Sequence, residues 1–151
     1  MVDRRSWIRA VLAALALEQL VTGIWAVVDP LGWYRGFPGL GRQWVSTDGP
    51  FNHHLVVDAG SGFLAVGVLL LIAVLWTRRE VTQVAFAAFL VEGIPHLLYH
   101  AIHPAELLSA TDNVLSIGGL ALMAAAAAVC LVAVSRSAHT GASRVGEEVP
   151  A

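Results

Sequence analysis

The stretch Glu92-Gly-Ile-Pro-His96-Leu-Leu-Tyr-His100-Ala-Ile-His103 sets one carboxylate and three imidazoles at helical spacing inside an apolar run. On a helix turning about 100° per residue, Glu92, His96, Tyr99, His100 and His103 fall within roughly one third of the circumference, while Leu97, Leu98, Ala101 and Ile102 cover much of the rest. Such a face is either wet or metal-loaded. Imidazoles and carboxylates at i, i+4 on facing helices are how bundles build transition-metal sites, and His54 with Asp58 repeats the spacing found in His96 with His100. Together the two pairs offer three nitrogens and one oxygen, a set suited to copper, iron or zinc rather than to a hard cation such as calcium. A haem is a variant of the same idea, with His54 and His100 as axial imidazoles.

Those residues need elements to carry them, and the composition says what kind. Of 151 residues, 57% are hydrophobic and 13% charged, with a mean hydropathy of +0.70, outside the range of ordinary soluble domains. The chain reads as an integral membrane protein whose first partner is the lipid bilayer. Its basic residues are all arginine, and a net charge of -2 gives no field to attract nucleic acid. The single cysteine, Cys130, lies deep in an apolar run and excludes a disulfide framework or a cysteine-based metal motif.

Four apolar stretches, 8–28, 54–76, 81–102 and 113–134, are each long enough to cross a hydrocarbon core of about 30 Å. They predict an all-α, polytopic four-helix bundle within a single domain, 1–135, with a polar tail over 136–151 expected to be disordered. Arg4, Arg5 and Arg9 before the first stretch resemble the start of a secretory signal, but the apolar run continues past Glu18 to Val28 and reads as a retained span. The segment 29–53, rich in glycine, proline and aromatics, predicts an ordered interfacial loop, either a lid over the helix ends or a plain connector. Trp25, Trp33 and Trp44 fit an aromatic belt at that interface, and Trp7 and Trp76 fit the opposite one.

Each stretch also carries a polar stripe. Glu18, Thr22, Trp25 and Asp29 share a face of the first, and Asp112, Ser116, Gly119 and Met123 a face of the fourth. In the second, His54 and Asp58 continue into Ser61, Gly62 and Ala65, small residues that would let a neighbouring backbone approach. Counting along the helices from the loop end puts His54 and His100 within about 5 Å, Asp58 and His96 at about 10 Å, and Glu18 and Glu92 at about 16 Å. Ionisable groups facing lipid cost several kcal/mol, so the stripes are expected to converge on one interior site. Its metal ligands would be His54, Asp58, His96 and His100, with Glu92 and Glu18 beneath as catalytic proton-relay groups. Tyr99 and Asn113 would contact the cofactor, Asn113 from the rim beside His103 and Asp112. Asp112 or Thr111 also reads as the N-cap of the fourth span, and Pro95 is expected to kink the third beside the ligands.

The four-span plan, the loop Trp33-Tyr-Arg-Gly-Phe-Pro-Gly39, and the stretches Asn52-His-His-Leu-Val-Val-Asp58 and Pro95-His-Leu-Leu-Tyr-His100 resemble those of small bacterial membrane proteins grouped as DoxX-like. The resemblance spans nearly the whole chain up to residue 135 and implies a link to membrane redox processes. In architecture alone the chain is also similar to the sterol isomerase and sigma-2 receptor group, whose bundles hold a lipophilic ligand.

Three functions follow as expectations. The first is a metal-dependent membrane protein, an oxidoreductase if the metal is redox-active. The second is a metal-free protein or isomerase for a small lipophilic substrate, with a carboxylate as proton shuttle. The third is a non-catalytic subunit of a homo-oligomer or larger membrane complex, in which buried histidines and glutamates serve only to hold helices together.

Arginine counting sets the orientation. Arg4, Arg5, Arg9, Arg78, Arg79, Arg136 and Arg144 lie on one side against Arg35 and Arg42 on the other, which predicts a cell-membrane protein with both termini cytoplasmic and the site opening outward. Reporter fusions at the C-terminal tail are expected to read cytoplasmic and fusions within 33–50 external. An external C-terminus would reverse the orientation.

Overall fold

A computed structural model describes residues 4–136, and within them four helices are long and apolar enough to cross a membrane. They are α1 (Arg4–Val28), α3 (His53–Leu75), α4 (Arg79–Ile102) and α5 (Ala110–Arg136), with a short α2 (Pro30–Gly36) after the first. The chain is an all-α membrane bundle with its structured loop between the first two spans. The expected tail beyond Arg136 lies outside the described residues.

Glycine decides how the bundle closes. With lipid on the outside, helices gain little from hiding apolar surface and associate mainly through close packing. The most extensive interface joins α1 to α3, where a Cβ on Gly23 would sit 2.8 Å from both the Gly60 carbonyl oxygen and the Leu64 amide nitrogen. A Cβ on Gly60 would lie 2.8 Å from that of Ala26, and one on Gly67 would lie 2.9 Å from Leu20 Cγ. Gly60 and Gly67 are two turns apart, so they fix which face of α3 meets α1. Gly62 has open space beyond its Cα, and Ser61 and Ala65 are exposed. The expected close approach through Ser61, Gly62 and Ala65 is therefore corrected to Gly60 and Gly67, on a face about 150° away around the helix.

The remaining helices complete the ring, α4 against α5 extensively and α3 against α4 and α1 against α5 more sparingly. At the end away from the loop, Leu12, Leu15, Ala16, Leu70, Ala85, Phe86, Ala127 and Cys130 make a continuous buried core. Arg79 donates to the Val134 and Ser135 carbonyls, both at 3.3 Å, and so satisfies acceptors that the last turn of α5 leaves open. At the loop end the apolar cluster is smaller and built around Ala26, Trp33 and Val56. Between the two clusters the bundle does not fill.

Local signals account for the element ends. Asp29 caps α2 by accepting from the Gly32 amide at 3.0 Å, with Pro30 at the first helical position, where its missing N–H costs nothing. Asn52 caps α3 through the Leu55 amide at 3.2 Å. Ser109, rather than the expected Asp112 or Thr111, receives the Asp112 amide at 3.1 Å ahead of α5, and the Asp112 carboxylate accepts from the Ser109 hydroxyl at 2.7 Å. Pro95 sits inside a continuous α4, on its exposed face one turn after Val91. Beyond α2 the loop forms a two-residue β-ladder, β1 (Pro38–Gly39) with β2 (Arg42–Gln43), then a 3₁₀ turn over Val45–Thr47.

Replacing Gly23 by alanine forces a methyl group onto the α3 backbone, which cannot swing aside as a side chain can. The expected cost is about 1–3 kcal/mol of stability in detergent unfolding. Gly118→Ala, which meets open space, is expected to be neutral or mildly stabilising.

Candidate functional site

The gap in the bundle is a cavity of about 490 Å³ at the loop end. Phe89 and Met123 close it toward the buried core, and Trp33, Phe37, Trp44 and Val45 roof it from the loop. One wall is α5, contributing Leu115, Ser116, Gly119 and Leu120, and Ala59 and Phe63 of α3 form part of another. Apart from Asn113 and Ser116 of α5 and Asp48 of the loop, the polar groups come from the other two spans. From α1 come Glu18, Gln19 and Thr22; from α4 come Glu92, His96 and His100.

Along α4 the ionisable groups form a file. Glu92 Oε1 approaches His96 Nδ1 at 3.8 Å, longer than a hydrogen bond but close enough for an ion pair when the imidazole is protonated. The His96 and His100 rings follow at 4.9 Å between centroids, and Phe63 flanks His96 at 6.3 Å. His100 faces Asp48 of the loop, and Glu18 faces Glu92 and His96 across the cavity. Thr22 Oγ1 donates to Glu18 Oε1 at 3.4 Å, whereas Glu18 Oε2, Gln19 Oε1 and Trp33 Nε1 are buried without a hydrogen-bond partner. Among the described residues no arginine lines this space, and the imidazoles are the groups there that can balance charge on the carboxylates.

The expected site is thus brought together in part. Glu18, Glu92, His96, His100 and Asn113 share the cavity, and Asn113 also closes the α4–α5 turn by donating from Nδ2 to the Ala105 carbonyl at 3.0 Å. His54 and Asp58 do not join them. They contact each other at 3.4 Å on an outward face of α3, with side chains 83% and 59% exposed. The reason is the glycine interface: Gly60 and Gly67 turned toward α1 put Ala59 and Phe63, not Asp58, into the cavity. Tyr99 is likewise outside, 54% exposed and stacked on His103 with centroids 4.8 Å apart. The four-ligand set His54, Asp58, His96 and His100 is therefore not assembled. Among the described residues no three histidine, cysteine, aspartate or glutamate side chains are grouped to hold a metal ion.

The tryptophans expected in a lipid-facing belt at the loop end also turn inward. Trp33 is buried, Trp44 and Trp25 are half-buried, and Phe37 meets all three in tilted or edge-on contacts at centroid distances of 5.4 to 6.5 Å. Asp112 holds this roof on α5. Its carboxylate accepts from the Arg42 guanidinium and from Trp44 Nε1 at 2.9 Å, linking the loop to a helix some seventy positions later. Tyr34 ties the loop to itself, its hydroxyl donating to the Gly49 carbonyl. Gln19 and Phe63 were not singled out by spacing, although the heptad step between Gly60 and Gly67 contains the information that places Phe63.

A roofed cavity with a file of ionisable groups, set in four apolar helices, defines an integral membrane helical bundle with an interior polar-and-aromatic chamber. Compared with protein-family models, curated proteins and solved structures, the chain matches none.

Asp112→Ala removes both ties to the loop together with the Ser109 contact. Chymotrypsin cleavage at Phe37 and Trp44 is expected to accelerate several-fold in nanodiscs, with a red shift of tryptophan emission as the roof lifts. Arg42→Gln, which spares the Trp44 and Ser109 bonds, is expected to give a smaller change.

Proposed function

We propose that this protein binds a small lipophilic molecule inside the membrane and exchanges a proton with it. The observation that carries the reading is the cavity itself: about 490 Å³, mostly apolar and aromatic, with Glu18, Glu92, His96 and His100 on its walls. Binding sites for small molecules commonly have this make-up, an apolar body with a few convergent polar groups. Trp33, Phe37, Trp44, Phe63 and Phe89 receive the apolar body of the ligand. The file His100, His96, Glu92 carries protons between the loop end and the polar wall, because imidazole accepts on one nitrogen and donates from the other. Glu92, with Glu18 opposite, is the group that meets the ligand. In the orientation favoured by the arginine asymmetry, the loop end and its proton file face the outside of the cell.

Transition-metal chemistry, and with it the redox role implied by a DoxX-like resemblance, would have to be built on His96, His100 and Glu92 rather than on four ligands. Elemental analysis separates the two readings. Purified protein in nanodiscs is expected to retain a co-purifying lipophile, detectable by mass spectrometry of solvent extracts, and to keep it after chelation. Gly119→Trp, which fills the cavity, should lower its yield about tenfold or more, and Glu92→Leu should impair proton exchange more than folding. Stoichiometric copper, iron or zinc, lost with His96→Ala, would replace the lipophile reading by the metal one.

A further inference from the structure

His54 and Asp58 place a polar pair where α3 turns away from its own bundle. They lie 3.4 Å apart, with side chains 83% and 59% exposed. Gly60 and Gly67, which lock α3 to α1, occupy the far side of the helix, and Ala59 and Phe63 face the cavity, so neither neighbour covers the pair. Counting about 1.5 Å per residue from Leu75, just before Arg78 and Arg79, puts Asp58 about 25 Å along the helix, inside a hydrocarbon core of about 30 Å. Tilting the helix only lowers that height. On the same count His54 stands at the outer edge of the core. Ionisable groups within membrane spans normally face a protein interior or pair with one another, because lipid solvates them poorly. The His54 imidazole covers one side of the Asp58 carboxylate and leaves the rest exposed.

Below the pair the same stripe is built of small residues. Ser61 and Ala65 follow Asp58, with Gly62 at their edge; all three are exposed, and a Cβ on Gly62 would meet nothing within 4 Å. The Ser61 hydroxyl is already satisfied, donating to the Val57 carbonyl at 2.8 Å. Small residues at i, i+4 let a second helix bring its backbone close, a gain that a lipid chain does not share. We infer that this face of α3 pairs with the same face of a second copy of the chain, about a two-fold axis along the membrane normal. Charge complementarity selects a second copy over an unrelated protein. The stripe carries an acid and a base one turn apart, and a two-fold axis brings the partner's His54 to each Asp58 and the partner's Asp58 to each His54. With the imidazoles protonated, the four groups alternate in sign around the axis, and each carboxylate gains a second cation where it now meets lipid. An unrelated partner would have to carry a matching pair at the same depth. The cavity lies on another side of α3, so the pairing is independent of what the cavity binds.

The test uses the full chain in liposomes. In a Cys130→Ala background, copper-phenanthroline oxidation at high lipid-to-protein ratio is expected to crosslink Ala65→Cys into a dimer. Leu122→Cys, at a position 71% exposed on α5, is expected to stay monomeric. Energy transfer between donor-labelled and acceptor-labelled chains then reads the affinity. Ala65→Trp, a bulky side chain on an outward surface, is expected to weaken association about tenfold or more. His54→Asp and Asp58→His are each expected to self-associate about tenfold more weakly than the unaltered chain. Mixed with each other they are expected to recover, because acid again stands opposite base. Every variant is checked for an unchanged helical signal and unfolding temperature; if a charge variant does not fold, Ala65→Trp and the crosslinks decide. A monomer at every dilution, equal crosslinking at the two cysteines, association indifferent to Ala65→Trp, or no recovery in the mixture overturns the proposal.

Discussion

Gly23, Gly60 and Gly67 let two backbones touch, and the rest of the molecule is arranged around that contact. Where Cβ atoms would fall 2.8 to 2.9 Å from the opposing helix, α1 and α3 have no freedom to rotate against each other. Once α3 is locked, the identity of every residue it shows to its other neighbours follows from 3.6-residue periodicity. Phe63 meets His96, and His54 and Asp58 point away. The same lock leaves α4 and α5 to pair chiefly with each other, so the bundle is tight on one side and spaced on the other, and the space is the cavity.

Depth divides the interior into two regimes. Away from the loop, leucine, phenylalanine and alanine side chains fill the centre completely, and Cys130 is merely one of them. Nearer the loop, residues of comparable size are replaced by glutamate, glutamine, threonine and histidine, which do not pack against one another well enough to close the gap. Placing titratable groups in an apolar membrane domain is expensive when they face lipid. Here they face a shared interior, roofed at the loop end by aromatic side chains. The roof in turn depends on Asp112, which binds the loop through Arg42 and Trp44 while its amide and carboxylate both bond the Ser109 hydroxyl at the start of α5. One carboxylate thus couples the start of a transmembrane helix to the closure of the chamber.

Hydropathy and length alone determined that the chain is a four-span helical membrane protein with a structured loop after the first span, because bilayer thickness imposes the same rule on every apolar stretch. Helical spacing was equally sufficient along α4: Glu92, His96 and His100 share a face whatever surrounds them, since the helix itself fixes their relation. Across helices the sequence was silent on rotation. His54 and Asp58 matched His96 and His100 in spacing and in depth, but depth is one coordinate and azimuth another, and azimuth depends on which small residues the neighbouring helix selects. Gly62 and Gly60 look alike in one dimension, and only the docked α1 backbone distinguishes them. Trp33 and Trp44 posed the same problem at the interface, where an indole suits either lipid headgroups or a protein interior. Asp112 holds Trp44 inward and Val56 packs with Trp33, contacts between residues distant in the chain that exist only when the helices are assembled.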